Sequence, residues 1–168
     1  MYLILFVGHT GQGKSTLAQK LVKDKKIYVF DVNNEYKHLP IDTGAIYPKM
    51  RNIDLDLKKF ITNCEKLKNT NILIEDATGF LRGRQSAEFS RLLVKKRHQQ
   101  NNYIILFHSI NRVPPEVMEM SNFIYLFKTN DNFDIVDKKF KNQQLNNAFL
   151  RLQKMPKYSF LKLKTIDQ

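Results

Sequence analysis

The residues Gly8-His9-Thr10-Gly11-Gln12-Gly13-Lys14-Ser15 match the phosphate-binding pattern G-x-x-x-x-G-K-[ST], in which each residue type has a chemical task. Glycines let a loop wrap phosphate oxygens with its backbone N–H groups, and a following helix adds the positive end of its dipole. Lys14 then reaches the β- and γ-phosphates, and the Ser15 hydroxyl ligates Mg²⁺. Gly8, Thr10, Gly11, Gln12, Gly13, Lys14, Ser15 and Thr16 are the candidate nucleotide contacts. ATP and GTP fit this Walker A loop equally. Its glycines do not follow G-x-G-x-x-G, and a dinucleotide site would leave Lys14 without a role.

A second group of chemically capable residues closes the run Ile72-Leu73-Ile74-Glu75-Asp76. Two carboxylates at the end of an apolar strand form a Walker B arrangement: one holds the Mg²⁺ hydration shell and the other orients or deprotonates the attacking water. Glu75 is the candidate metal-side group, with Ser15, and Asp76 the candidate water-side group. Their order is the reverse of the usual Asp-Glu, and either carboxylate can take either task. His108, Ser109 and Asn111 end a further apolar run, with His108 and Ser109 the candidates for sensing the γ-phosphate.

These groups need elements to position them. Five apolar runs of strand length occur, at Tyr2 to Val7, Ile27 to Asp31, Asn71 to Asp76, Tyr103 to His108 and Phe123 to Lys128. They lack alternation, as strands buried on both faces do, and helical patterns separate several of them, which predicts a parallel sheet wrapped by helices. Helices are expected at Lys14 to Lys23, along the stripe Leu57, Phe60, Ile61, Cys64 and Leu67, over about Gln85 to Gln99, from Pro115, and near Asn132 to Leu152. The third of these gathers Arg84, Arg91, Lys95 and His98 on one face. The Lys-rich stretch Tyr158 to Thr165 has possible strand character.

With 168 residues the chain suits one globular domain. Its single cysteine, Cys64, excludes an internal disulfide and a Cys-rich zinc site. No signal-peptide pattern opens the sequence, and its apolar runs fall far short of the roughly 18 residues of a membrane span. A soluble protein in a reducing, cytoplasmic setting is expected. The balance of 28 Lys and Arg against 16 Asp and Glu, net +12, steers polyanions inward and makes nucleic acid the first partner to consider. A Lys- and Asn-rich chain whose lysines only maintain solubility is the alternative.

The Walker A loop, the segment Val29-Phe30-Asp31-Val32-Asn33-Asn34-Glu35-Tyr36, the Glu75-Asp76 strand, a basic helix ending Lys96-Arg97-His98 and the run Asn111-Arg112-Val113-Pro114-Pro115 together resemble the FtsK/HerA superfamily of ring-forming, DNA-moving ATPases. The likeness covers roughly residues 1–130, and small phage genome-packaging ATPases fit the length best. It implies an α/β P-loop NTPase of the ASCE/RecA-like kind, a three-layer sandwich around a mainly parallel five-stranded central sheet. It also implies Mg²⁺-dependent ATP hydrolysis coupled to movement of double-stranded DNA without sequence recognition. The implied partners are other copies in a hexameric ring and a portal or capsid protein, with no membrane, in the host cytoplasm or the virion. Such rings complete each site with an arginine from the neighbouring subunit; Arg82, Arg84, Arg97 and Arg112 are the candidates, with Arg97 and Arg112 at the family's positions.

Residues Arg82 to Arg112 hold seven Lys and Arg against one Glu, suited to gripping a phosphate backbone of DNA or equally of RNA. Two other readings stand beside the motor. A small-molecule or nucleoside kinase on the same fold would use Arg82-Gly83-Arg84 as a lid, and a filamentous-phage-type assembly ATPase would act on coat protein or membrane machinery. Residues 131–168 form an extension without a motif.

Overall fold

Apolar runs without alternation suit strands covered on both faces, and polar flanks end them. The computed structural model describes residues 1–42, 49–53, 56–80 and 87–165, and only the backbone of residues 87, 88, 96 and 97. Its strands are β1 (Leu3–Val7), β2 (Ile27–Phe30), β3 (Lys49–Asn52), β4 (Asn71–Ile74), β5 (Asn102–Phe107), β6 (Phe123–Phe127) and β7 (Phe160–Lys164). They make one sheet in the order β3-β2-β4-β5-β1-β6-β7, parallel except for β7, which runs antiparallel to β6. The sheet therefore has seven strands rather than the expected five.

Both additions have physical reasons. The β3 sequence, Lys-Met-Arg-Asn, has no apolar run; it is held because Asp31 N donates to Asn52 O at 2.8 Å and the Arg51 side chain pairs with buried Asp31. Strand β7 alternates Phe160, Lys162 and Lys164 outward with Leu161 and Leu163 toward the core, the pattern of a half-buried antiparallel edge.

The helices are α1 (Lys14–Val22), α2 (Leu57–Cys64), α3 (Ala77–Phe80), α4 (Ala87–Gln99), α5 (Pro115–Met120), α6 (Phe133–Phe140) and α7 (Gln143–Gln153). On one face of the sheet, Ala18 and Val22 of α1 pack on Phe6, Val29, Leu73 and Leu106. On the other, Phe60, Ile61, Leu92, Leu93, Phe149 and Leu152 pack with Leu5, Ile74 and Ile105, so the extension after residue 130 shares the main core. The single helix expected over Asn132 to Leu152 is two. Lys141 takes a left-handed φ of 47°, ending α6, and the Asn142 side chain accepts from Leu145 N to start α7. No helix among the described residues is long and apolar enough to cross a membrane.

Strand β5 lies between β1 and β4, with Val7 beside Phe107 and Ile74 beside Ile105. The residues following these three parallel strands, Gly8, Glu75 and His108, consequently meet at one edge of the sheet.

Candidate nucleotide-binding site

The loop after β1 is anchored on both sides: Gly8 N donates to Phe107 O at 3.1 Å and His9 N to Lys128 O at 2.9 Å. Gly8 is obligatory for this approach, since a Cβ there would lie 2.5 Å from Phe127 Cβ. Gly13 turns the loop into α1 with φ 87° and carries no side-chain cap, so the first N–H groups of the helix stay directed at the loop's concavity. That concavity, about 160 Å³, is lined by Thr10, Gly11, Gly13, Lys14, Ser15, Thr16 and His108. It presents backbone donors, a helix N-terminus and one ammonium, which together suit a chain of phosphates.

Lys14 is only 4% exposed. Its ammonium donates to Gly8 O at 2.7 Å and His9 O at 3.1 Å and lies 3.1 Å from His108 Nδ1. Burial pulls its pKa down to about 8, against the opposing pull of Glu75 and Asp76.

Glu75 and Asp76 diverge from the end of β4. Glu75 is 3% exposed, accepts a 2.6 Å hydrogen bond from the Tyr36 hydroxyl and lies near the Ser15 hydroxyl. Burial pushes its carboxyl up to about 7, although the Tyr36 and Ser15 hydroxyls both favour the anion. Asp76 adopts a left-handed φ of 44°, which swings its carboxylate to the opposite side, where Oδ1 stands 3.3 Å from His108 Nε2. Among the described residues Asp76 Oδ1 accepts no aligned hydrogen bond.

His108 bridges these halves. Its backbone N is held by Thr78 Oγ1 at 2.9 Å, and burial, then Lys14, keeps its pKa below the ordinary value. An ammonium can only donate, so a neutral His108 accepts at Nδ1 and carries its proton on Nε2, facing Asp76.

Ser109 is turned elsewhere. Its hydroxyl donates to Asp131 Oδ1 at 2.5 Å, and the same carboxylate accepts from Ile110 N at 2.8 Å, capping the 3₁₀ turn Ile110–Arg112. Arg112 ends that turn on the surface. Arg97 belongs to α4, with its side chain outside the described residues, as Arg82 and Arg84 are entirely.

The segment after β2 proves to be a buttress. Asp31, 1% exposed, accepts from Glu35 N at 2.8 Å and Tyr36 N at 3.0 Å and pairs with Arg51 Nη1 at 3.0 Å. Arg51 also donates to Leu39 O at 3.0 Å and to Asn34. This network delivers the Tyr36 hydroxyl to Glu75. Residue types gave no direct signal for that contact: a tyrosine in an apolar-polar loop reads as core, and Thr78 as an ordinary helix residue.

The fold and this edge define an α/β P-loop NTPase-like sandwich with a mixed, mostly parallel central sheet. No family profile and no curated protein matches the sequence. Solved structures do. The genome packaging NTPase B204 from Sulfolobus turreted icosahedral virus 2 in complex with AMPPCP superimposes with a TM-score of 0.80 at 18% identity, covering 98% of this chain and 92% of that one. Its complex with ATP-gammaS gives 0.80 at 15% identity over the same shares. The N-terminal domain of zonular occludens toxin from Neisseria meningitidis gives 0.53 at 15% identity, over 77% of this chain and 78% of that one. At these identities the likeness establishes the fold.

Proposed function

We propose that this chain is the ATP-hydrolysing subunit of a DNA-translocating, genome-packaging motor. The observation that carries the hydrolytic part is the convergence of Lys14, Ser15, Glu75, Asp76 and His108 at the ends of β1, β4 and β5. The motor part is supported by the FtsK/HerA-like motif order, the net charge of +12 and the near full-length likeness to a viral genome packaging NTPase.

In this reading the loop and helix N–H groups of residues 11–16 bind the phosphates, and Lys14 exchanges the Gly8 and His9 carbonyls for β- and γ-phosphate oxygens. Ser15 and Glu75, two neighbouring hard oxygen donors, suit Mg²⁺, which keeps several waters and takes one or two protein oxygens. Bound there, Mg²⁺ would neutralise charge on the β- and γ-oxygens. Asp76 orients the attacking water and accepts the proton, with its Oδ1 held beside His108 Nε2 at 3.3 Å. His108, rather than Ser109, links the phosphate loop to that carboxylate.

The chain acts as one P-loop domain, with a core over about residues 1–130 and an extension over 131–168 that carries β7. Copies assemble into a hexameric ring in which Arg97 or Arg112 enters the neighbouring site and stabilises charge on the transferred phosphoryl group. Double-stranded DNA is held through its backbone without base reading, and a portal or capsid protein anchors the ring.

The test is turnover with and without double-stranded DNA at low and moderate salt, alongside the mass of the assembly with nucleotide bound. DNA stimulation that weakens with salt, in a ring-sized species, is the expected result. A monomer indifferent to DNA but stimulated by a phosphoryl acceptor would establish the kinase reading instead.

A further inference from the structure

Two cavities adjoin α1 beside the phosphate loop. The larger, about 550 Å³, is walled by the buried Tyr36 ring and the exposed His38 imidazole, and of the phosphate concavity's lining it shares Thr16 but none of the loop glycines. The smaller, about 310 Å³, shares Gly13 and Thr16 with the phosphate concavity and is walled by Gln12, Lys20, Phe127, Tyr158 and Phe160. Tyr158 is 61% and Phe160 40% exposed, unusual for rings next to a core.

These rings are placed, not loose. Phe160 is braced by Phe127 at 5.4 Å and Tyr125 at 5.8 Å between centroids. Tyr158 sits in a left-handed turn with φ 68°, its backbone N 3.5 Å from Gln12 Oε1. A Cβ on Gly13 would come within 3.6 Å of its ring, and Lys157 covers it at 4.9 Å. The C-terminal segment thus meets the phosphate loop at its entry to α1.

We propose that this smaller cavity is the nucleobase subsite, with Tyr158 and Phe160 as its stacking surfaces, so that the motif-free extension completes the nucleotide site. The assignment rests on the triphosphate reading above. The side-chain polar groups facing the cavity are the Gln12 amide, the Thr16 hydroxyl and the Lys20 ammonium, with no carboxylate among the lining residues. An amide offers both a donor and an acceptor, and stacking accepts any base with a π face. The subsite therefore holds adenine and guanine alike.

Calorimetric titration of Mg²⁺ with AMPPCP, GMPPCP or inorganic tripolyphosphate tests this in wild type, Tyr158→Ala, Tyr158→Phe and Lys14→Ala. Wild type should bind both nucleotides at least about tenfold more tightly than tripolyphosphate, and the two nucleotides within about fivefold of each other. Tyr158→Ala, a change at an exposed ring, should weaken both nucleotides about 5- to 100-fold and leave tripolyphosphate within about twofold, whereas Tyr158→Phe should keep wild-type affinities. Wild-type nucleotide affinity in Tyr158→Ala, or equal losses for nucleotide and tripolyphosphate, overturns the assignment. Lys14→Ala should weaken all three ligands; a folded wild type that binds none of them would overturn the phosphate-loop reading and this subsite with it.

Discussion

Replacing Lys14 by methionine should make the protein more stable while it destroys hydrolysis. The ammonium is 4% exposed, and burial lowers its pKa from 10.5 to about 8. That gap corresponds to about 3 kcal/mol of penalty for holding the charge in the folded chain at neutral pH. The sign follows from proton binding. Between pH 8 and 10.5 the unfolded chain binds this proton and the folded chain does not, so stability rises with pH across that window, and the penalty is complete below about pH 8. Methionine keeps the length of the apolar stem and drops the charge. It also forfeits the donors to Gly8 O at 2.7 Å and His9 O at 3.1 Å, a loss of about 2 kcal/mol at about 1 kcal/mol for each bond. The net expectation is a gain of about 1 kcal/mol at pH 7 that vanishes near pH 9. Urea unfolding of wild type and Lys14→Met at both pH values measures it through the midpoint at constant m-value. A variant less stable than wild type at pH 7, or one whose gain is the same at both pH values, would show that the buried ammonium carries no net penalty.

Three further outcomes follow from the same geometry. Tyr36→Phe keeps the buried ring but removes the 2.6 Å donor to the Glu75 anion; a hydrogen bond to a charged group contributes about 1.5–3 kcal/mol, so kcat/KM for Mg²⁺-ATP should fall about 10- to 100-fold, with a fall in Tm of about 3–12 °C. Arg51→Ala strands Asp31, 1% exposed, without its ion pair, and urea unfolding should show a loss of about 3–5 kcal/mol. Because burial raises the Glu75 carboxyl to about 7, and only the anion binds metal, Mg²⁺-dependent nucleotide binding should weaken as pH falls below about 7; calorimetry at pH 5.5 and 8 that returned equal affinities would contradict the metal-side role of Glu75.

The parts of the site that were legible in the sequence are those whose spacing the backbone itself dictates. A loop that wraps phosphates needs glycines at fixed steps and a lysine at the helix start, so Gly8 to Ser15 could be placed without neighbours. Apolar runs marked β1, β2, β4, β5 and β6 for the same local reason. Strand β3 was not legible, because Arg51 is strand-forming only through Asp31, twenty residues away in sequence. The divergence of Glu75 and Asp76 depends on a left-handed aspartate, a conformation that residue type alone does not signal. Likewise the break between α6 and α7 rests on a left-handed lysine, although Asn142, a good N-cap, was a sign available in the sequence. Nothing local in the sequence separates Ser109 from His108, because it is Asp131, from beyond β6, that takes the serine.

The most direct test of the account is steady-state hydrolysis of Mg²⁺-ATP by wild type and Lys14→Ala, both verified as folded. Turnover is expected in wild type, with a loss of at least about 100-fold in the variant, since Lys14 meets charge that grows on the transferred phosphoryl group. Equal turnover in the two proteins, or none in wild type with DNA present, would contradict it.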